Sequence, residues 1–186
     1  MPSQRTDEAW IGRLVGRLKS LVPEGREPDR ATLAKLRRGL GKKVGQAGER
    51  DVWLFRSLEG AAPKDEDPAA LIASLFAMHP KNSNDGLGTA FRRLFEARGE
   101  SASIEKRFAA LLDADAEDLP GRLRQAISLL KPDFPIDWRT LLQDLVDWDR
   151  ERRPVQRRWA REFWAGRSAD EAPESETPHV EERTTA

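Results

Sequence analysis

An all-helical fold is what this sequence predicts, and three observations carry the prediction. Leu, Ala, Arg and Glu abound while Tyr and Cys are absent, so intrinsic propensity favours helix and little β-branched material is left for strands. Apolar residues recur at spacings of three and four from Trp10 to Phe163, the period of a helix with one buried face. Prolines fall between these periodic segments or at their first turns, where a missing N–H costs nothing. With 186 residues, 38% hydrophobic and 34% charged, the chain supports one or two compact helical cores under an unusually ionic surface.

Along the chain, Trp10, Leu14, Leu18 and Leu21 share one face of a first helix that ends before Pro23. Leu33, Leu36, Leu40 and Val44 continue the period in a second, which Gly39 and Gly41 are expected to fray. Val52, Trp53, Phe55 and Leu58 predict a short third helix, followed by a loop from Gly60 to Asp67. A fourth helix opens at Pro68 with Asp67 as its N-cap, buries Leu71, Ile72, Leu75 and Phe76, and closes at His79-Pro80. Residues 1–79 form the expected N-terminal lobe, and the turn-rich stretch 80–88 the connection to a second lobe over 89–166.

In that second lobe the buried stripes are Leu87, Phe91, Leu94 and Phe95, then Ile104, Phe108, Leu111 and Leu112, then Leu123, Ala126, Ile127 and Leu130. Pro120 sits where the third of these begins, and the break Lys131 to Pro135 ends it. Ile136, Trp138, Leu141, Leu142 and Leu145 predict the next helix, and Pro154 opens the last, which buries Val155, Trp159 and Phe163. The whole reads as about nine helices in two small bundles. Residues 167–186 have the composition of a disordered acidic tail.

The formal net charge of zero hides an asymmetry. From Ser168 to Ala186 six acids stand against Arg183 alone, a net of −5, so the body carries +5. A basic body with an acidic end is a pattern that accompanies polyanion binding, the tail screening the surface the ligand uses. Within the body the bases gather. Between Arg30 and Lys43 stand Lys35, Arg37, Arg38, Lys42 and Lys43 with no acid, and helical spacing puts Lys35, Arg38 and Lys42 opposite the leucine stripe. Arg157, Arg158 and Arg161 fall in one sector across from Val155 and Trp159, with Arg152 and Arg153 in the turn before. Like charges on one helix face repel, so folding gives no reason for the clustering, whereas guanidinium groups bind phosphate oxygens bidentately without reading bases. The competing reading is that such helices are simply well solvated, or meet acidic protein as part of a scaffold.

Catalytic and metal chemistry find little support. His79 and His179 are the only histidines and neither has a ligand partner at helical spacing; with no cysteine, neither thiolate metal sites nor disulfides exist. Asp113, Asp115, Glu117 and Asp118 resemble a magnesium-holding cluster in composition, but they precede Pro120, where acids stabilise a helix N-terminus. No phosphate-cradling glycine motif is present, no cofactor is implied, and no run of apolar residues is long enough to span a membrane. The missing export signal and missing cysteines fit a cytoplasmic protein. Trp10, Trp138 and Trp159 are expected in the core, while Trp164 lies off the apolar stripe and is expected to be exposed or in a subunit contact.

The order Leu87-Gly88, Lys106-Arg107-Phe108, Leu111-Leu112, Leu123-Arg124, Ile136-Asp137-Trp138, Leu141 to Leu145, Trp148 and Trp159-Ala160 to Phe163 resembles the CasB family, the small subunit of the type I-E CRISPR Cascade complex. The Asp137-Trp138 pair before a leucine-rich helix is its most specific element. The resemblance implies an all-helical, non-enzymatic protein of two lobes, present as two copies beside the guide RNA and next to the backbone and large subunits. It further implies that displaced single-stranded target DNA is held with little sequence preference during antiviral defence. Arg107 and Arg124 fall on family-matching basic positions, as do Arg37 and Arg38 more loosely.

Overall fold

The computed structural model describes residues 3–131 and 133–165, with side chains from 9 onward. Nine α-helices are found among these residues, and no strand: α1 (Ser3–Lys19), α2 (Arg30–Arg38), α3 (Gly48–Phe55), α4 (Glu66–Met78), α5 (Leu87–Ala97), α6 (Ala102–Leu112), α7 (Leu119–Leu130), α8 (Trp138–Val146) and α9 (Pro154–Trp164). The all-α prediction therefore holds. The expected acidic tail over 167–186, with His179, lies outside the described residues.

Helix α4 is the centre of the packing. Ala69, Ala70, Ile72, Ala73, Leu75, Phe76 and Ala77 are all buried, an all-round burial that its alanines permit. It packs against α2 and α3 and also against α7 and α8, while α1 crosses α8 and α4. The buried apolar side chains from Trp10 to Phe163 form a single cluster, with Trp10, Trp138 and Trp159 at zero exposure as the stripes predicted. Val52 and Phe55 on α3 are the large hydrophobics left exposed among the described residues.

Two starts and stops differ from expectation. The helix α4 begins at Glu66, after a 3₁₀ turn over Pro63–Asp65, so Asp67 lies inside its first turn and is not the cap. The Asp67 carboxylate instead accepts the Val44 N–H at 2.9 Å and ties the α2–α3 loop to α4. Helix α2 ends at Arg38, so Leu40 and Val44, expected on its buried face, lie in the loop over 39–47; the helix stops at the glycines that were expected only to fray it.

The stretch 80–88 is pinned to the segment ahead of α8. The Ser83 N–H donates to the Ile136 carbonyl at 3.0 Å, the Asp137 N–H to the Asp85 carbonyl at 2.7 Å, and Trp138 Nε1 to the Lys81 carbonyl at 2.9 Å. The Asp137 carboxylate caps α8 by accepting the N–H groups of Arg139 and Thr140, so the Asp-Trp pair is a cap followed by an anchor. His79 joins the same junction: buried, it donates from Nε2 to the Phe134 carbonyl at 3.0 Å and lies edge-on to Trp138. Burial holds its pKa below the usual histidine value despite that carbonyl, so it serves neutral and structural. Gly88 lets α5 and α9 approach, because a Cβ there would stand 2.6 Å from the Trp159 carbonyl oxygen.

Candidate nucleic-acid interface

Several of the candidate bases are already engaged within the chain. Arg37 donates from Nε to the Ala77 carbonyl at 3.1 Å, at the end of α4, and Arg153 donates to the Leu112 carbonyl at 2.5 Å, at the end of α6. Both are cations set at helix C-termini, where unpaired carbonyls and the negative end of the dipole collect. Arg153 reaches α6 from a left-handed backbone, φ 49°, one residue before Pro154. Lys35 and Arg38 share the Glu49 carboxylate at 3.2 and 3.5 Å. Arg158 pairs with Asp144, whose other oxygen accepts Trp159 Nε1 at 2.7 Å, and lies 3.7 Å from Glu162.

The predicted sectors are corrected accordingly. Arg158 pairs with the buried Asp144 of α8, so its charge is shared with a carboxylate while nearly half of its side chain stays exposed. Arg37 and Arg153 each give one nitrogen to a helix end and remain exposed, and Lys35 and Arg38 keep between them one uncompensated charge. Lys42 is not on the α2 face but in the loop after it, since α2 stops at Arg38. Lys42, Lys43, Arg107, Arg124, Arg152, Arg157 and Arg161 are exposed, and no described carboxylate lies within ion-pair distance of them.

Arg107 stands in company that the sequence reading did not assemble. Helices α6 and α7 pack side by side and leave between them a groove of about 330 Å³. Lys106, Arg107 and Arg122 line it with the polar Ser103 and Gln125, over a floor that includes Phe91, Ala126 and Leu129; no acid is among the lining residues. The cations of the two helices can therefore bear on one ligand. Ser103, Lys106 and Arg107 fall at helical spacing, as do Arg122 and Gln125, which is a readable signal. Knowing that those two faces meet required the packing of α6 on α7.

The acidic cluster before Pro120 behaves as a turn. Asp115 Oδ1 accepts the N–H groups of Glu117 and Asp118 at 3.0 and 2.9 Å, one step ahead of α7, whose Asp118 makes no side-chain cap of its own. Trp164, expected exposed or at a subunit contact, is half-buried on α6: it packs edge-on against Phe108 and donates to Glu105 Oε1 at 2.9 Å. Among the described residues no group of His, Cys, Asp and Glu is arranged to hold a metal ion, and no helix is long and apolar enough to cross a membrane.

The residues missed altogether are Arg50 and Asp51. Arg50 is 1% exposed, and its guanidinium donates to the Gly39, Lys42 and Lys43 carbonyls at 2.9, 2.8 and 2.9 Å and to Asp51 Oδ1 at 2.6 Å. Asp51 Oδ2 accepts the N–H groups of Gly45 and Ala47. Burial alone would raise the Asp51 pKa, but those N–H groups and the Arg50 charge outweigh it and hold the carboxyl below its usual value. A charged residue inside an apolar segment is the only trace this leaves in sequence.

The chain is thus a small all-helical protein with a groove between two helices that three bases and no acid line. Comparison places it more narrowly: residues 32–164 match the model of the CRISPR-associated protein Cse2 family, and the chain belongs to that family. A Cse2 protein of Thermus thermophilus is 42% identical over 107 residues, 57% of this chain; the aligned stretch spans 61% of that relative's own length. The crystal structure of CasB from M. ruber is similar with a TM-score of 0.66 at 37% identity, over 81% of this chain and 92% of that one. A chain of a CRISPR RNA-guided surveillance complex, 23% identical, shares the fold with a TM-score of 0.67 over 84% of this chain and 92% of its own.

Proposed function

We propose that this chain is a non-catalytic subunit of a type I-E CRISPR Cascade complex that grips nucleic acid by its sugar-phosphate backbone and steadies the displaced DNA strand when guide RNA pairs with its target. Family membership supports the assignment to the CRISPR apparatus, and the shared fold of a surveillance-complex chain supports the assembly. The observation that carries the binding role is the α6–α7 groove, which Lys106, Arg107 and Arg122 line together with no acid among the lining residues. A groove of that make-up attracts phosphate without selecting bases, and even modest strand capture tips an exchange whose two duplexes are nearly equal in stability. Its partners are then the backbone and large subunits, the guide RNA, single-stranded target DNA and a second copy of itself, in the cytoplasm.

Filter binding of single-stranded DNA across a salt series tests the reading. Each phosphate contact on a single strand contributes about −0.7 to the slope of log affinity against log salt, so K106A/R107A/R122A should flatten it by about 2. An unchanged slope defeats the groove as a binding site. A second reading, a protein scaffold, draws on Val52 and Phe55, which are 61% and 51% exposed on α3. It expects V52S/F55S to release partner subunits while DNA affinity stays as it was.

A further inference from the structure

The loop from Gly39 to Ala47 is built from the inside. Its Gly39, Lys42 and Lys43 carbonyls are taken by the Arg50 guanidinium, and its Gly45 and Ala47 N–H groups by Asp51. The Val44 N–H goes to Asp67 and the Lys43 N–H to Gln46 Oε1. The main chain is thus fixed by groups beneath or within the loop, and what it turns outward are the side chains of Lys42 and Lys43, exposed and without a described carboxylate in ion-pair range. Glu49, the acid three residues past the loop's Gln46, is held by Lys35 and Arg38.

We propose that Arg50 is a positioning residue that holds Lys42 and Lys43 in place as a second backbone-phosphate contact, separate from the α6–α7 groove. The proposal rests on the nucleic-acid reading above and adds to it a built loop and the residue that builds it. Stability gives a weak reason for the arrangement, because taking an Arg–Asp pair out of water costs about as much as their attraction returns. A loop of this length could equally be solvated. A rigid loop gains something when the groups it carries must meet a ligand without being ordered at that moment, and the ligand that suits paired, uncompensated lysines is a run of phosphates. Gly39 supports the same design from the other side of the contact. A Cβ at that position would stand 2.3 Å from Arg50 Cδ, so no other residue fits without displacing the guanidinium.

The experiment is salt-dependent binding of a thymidine-only single-stranded oligonucleotide to the full chain. K42A/K43A should flatten the salt slope by about 1.4, two contacts' worth. R50K, which keeps the charge but not the forked set of donors, and independently G39A should each weaken binding by about threefold to tenfold, the cost of ordering two long side chains. Both should speed amide exchange at Gly45 and Ala47. In the K42A/K43A background R50K should change affinity no further, because Arg50 acts through those lysines. A loss from R50K of equal size in both backgrounds overturns the positioning role, and an unchanged slope for K42A/K43A overturns the loop contact. If that flat result appears while K106A/R107A/R122A still lowers the slope, only the loop proposal fails; if neither variant moves it, the nucleic-acid reading fails with it. Should R50K not fold, G39A in the two backgrounds decides the same question.

Discussion

Two arginine–aspartate pairs with a buried carboxylate stand among the described residues, and they are put to opposite uses. Arg50 and Asp51 are neighbours on α3 and turn their hydrogen bonds on main-chain groups of one loop. Asp144 on α8 and Arg158 on α9 are bonded side chain to side chain, with Trp159 Nε1 as the third member. The Asp51 carboxylate receives enough donors to overcome burial, and its pKa is lowered; at Asp144 burial prevails over Arg158 and Trp159, and the pKa is raised. Both carboxylates are hydrogen-bonded at each oxygen; the first pair ties down the main chain of one loop, and the second links the side chains of two helices.

The sharpest test of that difference is the amide variant of each acid. D51N leaves Arg50 as a buried cation with no counter-charge and should cost about 3–5 kcal/mol in urea unfolding at neutral pH. The pH dependence follows from the lowered pKa: the stabilisation is present above the ordinary value of 3.8 and is lost as pH falls through the folded-state value. D51N should accordingly remove part of the acid limb of a stability–pH curve below about pH 4. If D51N unfolds at the same urea concentration as the parent, the loop clip is energetically idle.

D144N should cost less, about 1 kcal/mol, because Arg158 is half-exposed and water replaces the lost partner. Its pH signature has the opposite sign. A carboxyl whose folded-state pKa lies above 3.8 favours the fold when protonated, so its contribution declines as pH rises through the interval between those values. D144N should abolish that decline, and a D144N curve steeper than the parent's in that interval would reverse the assignment. Between the two in size falls G88A, which forces a methyl against the Trp159 carbonyl and should cost about 1–3 kcal/mol by overpacking α5 on α9.

The comparison also explains what could be read from the sequence. Periodicity finds whatever is apolar and repeated, so the nine helices and the buried Trp10, Trp138 and Trp159 were legible, while the same period carried α2 on to Val44, past its end at Arg38. The cap and anchor at Asp137-Trp138 were visible as a motif, though the Lys81 carbonyl that Trp138 holds was not. Charge is harder, because a helical wheel reports the side of the helix and not what waits there. Arg157 and Arg158 are adjacent and share a predicted sector, yet one is free among the described residues and the other is committed to Asp144. Arg50 carries the same formal charge as Lys42 and lies beneath the loop that presents it. Asp67 looked like a cap beside a proline and became a tie to a distant loop.

The smallest expected effect on stability separates the free from the paired cations of α9. R157A/R161A removes two exposed cations without described partners, so unfolding should move by less than about 0.5 kcal/mol. R158A removes a cation that a buried carboxylate depends on, and should cost about 1–3 kcal/mol, the range for leaving a buried polar group without its partner. On DNA the order should invert: R157A/R161A flattens the salt slope if the α9 face touches phosphate, whereas R158A leaves it alone. Two neighbouring arginines that one helical wheel cannot tell apart would then separate on both axes. A common response of both variants in both measurements would mean that the free and paired cations of α9 act as one surface.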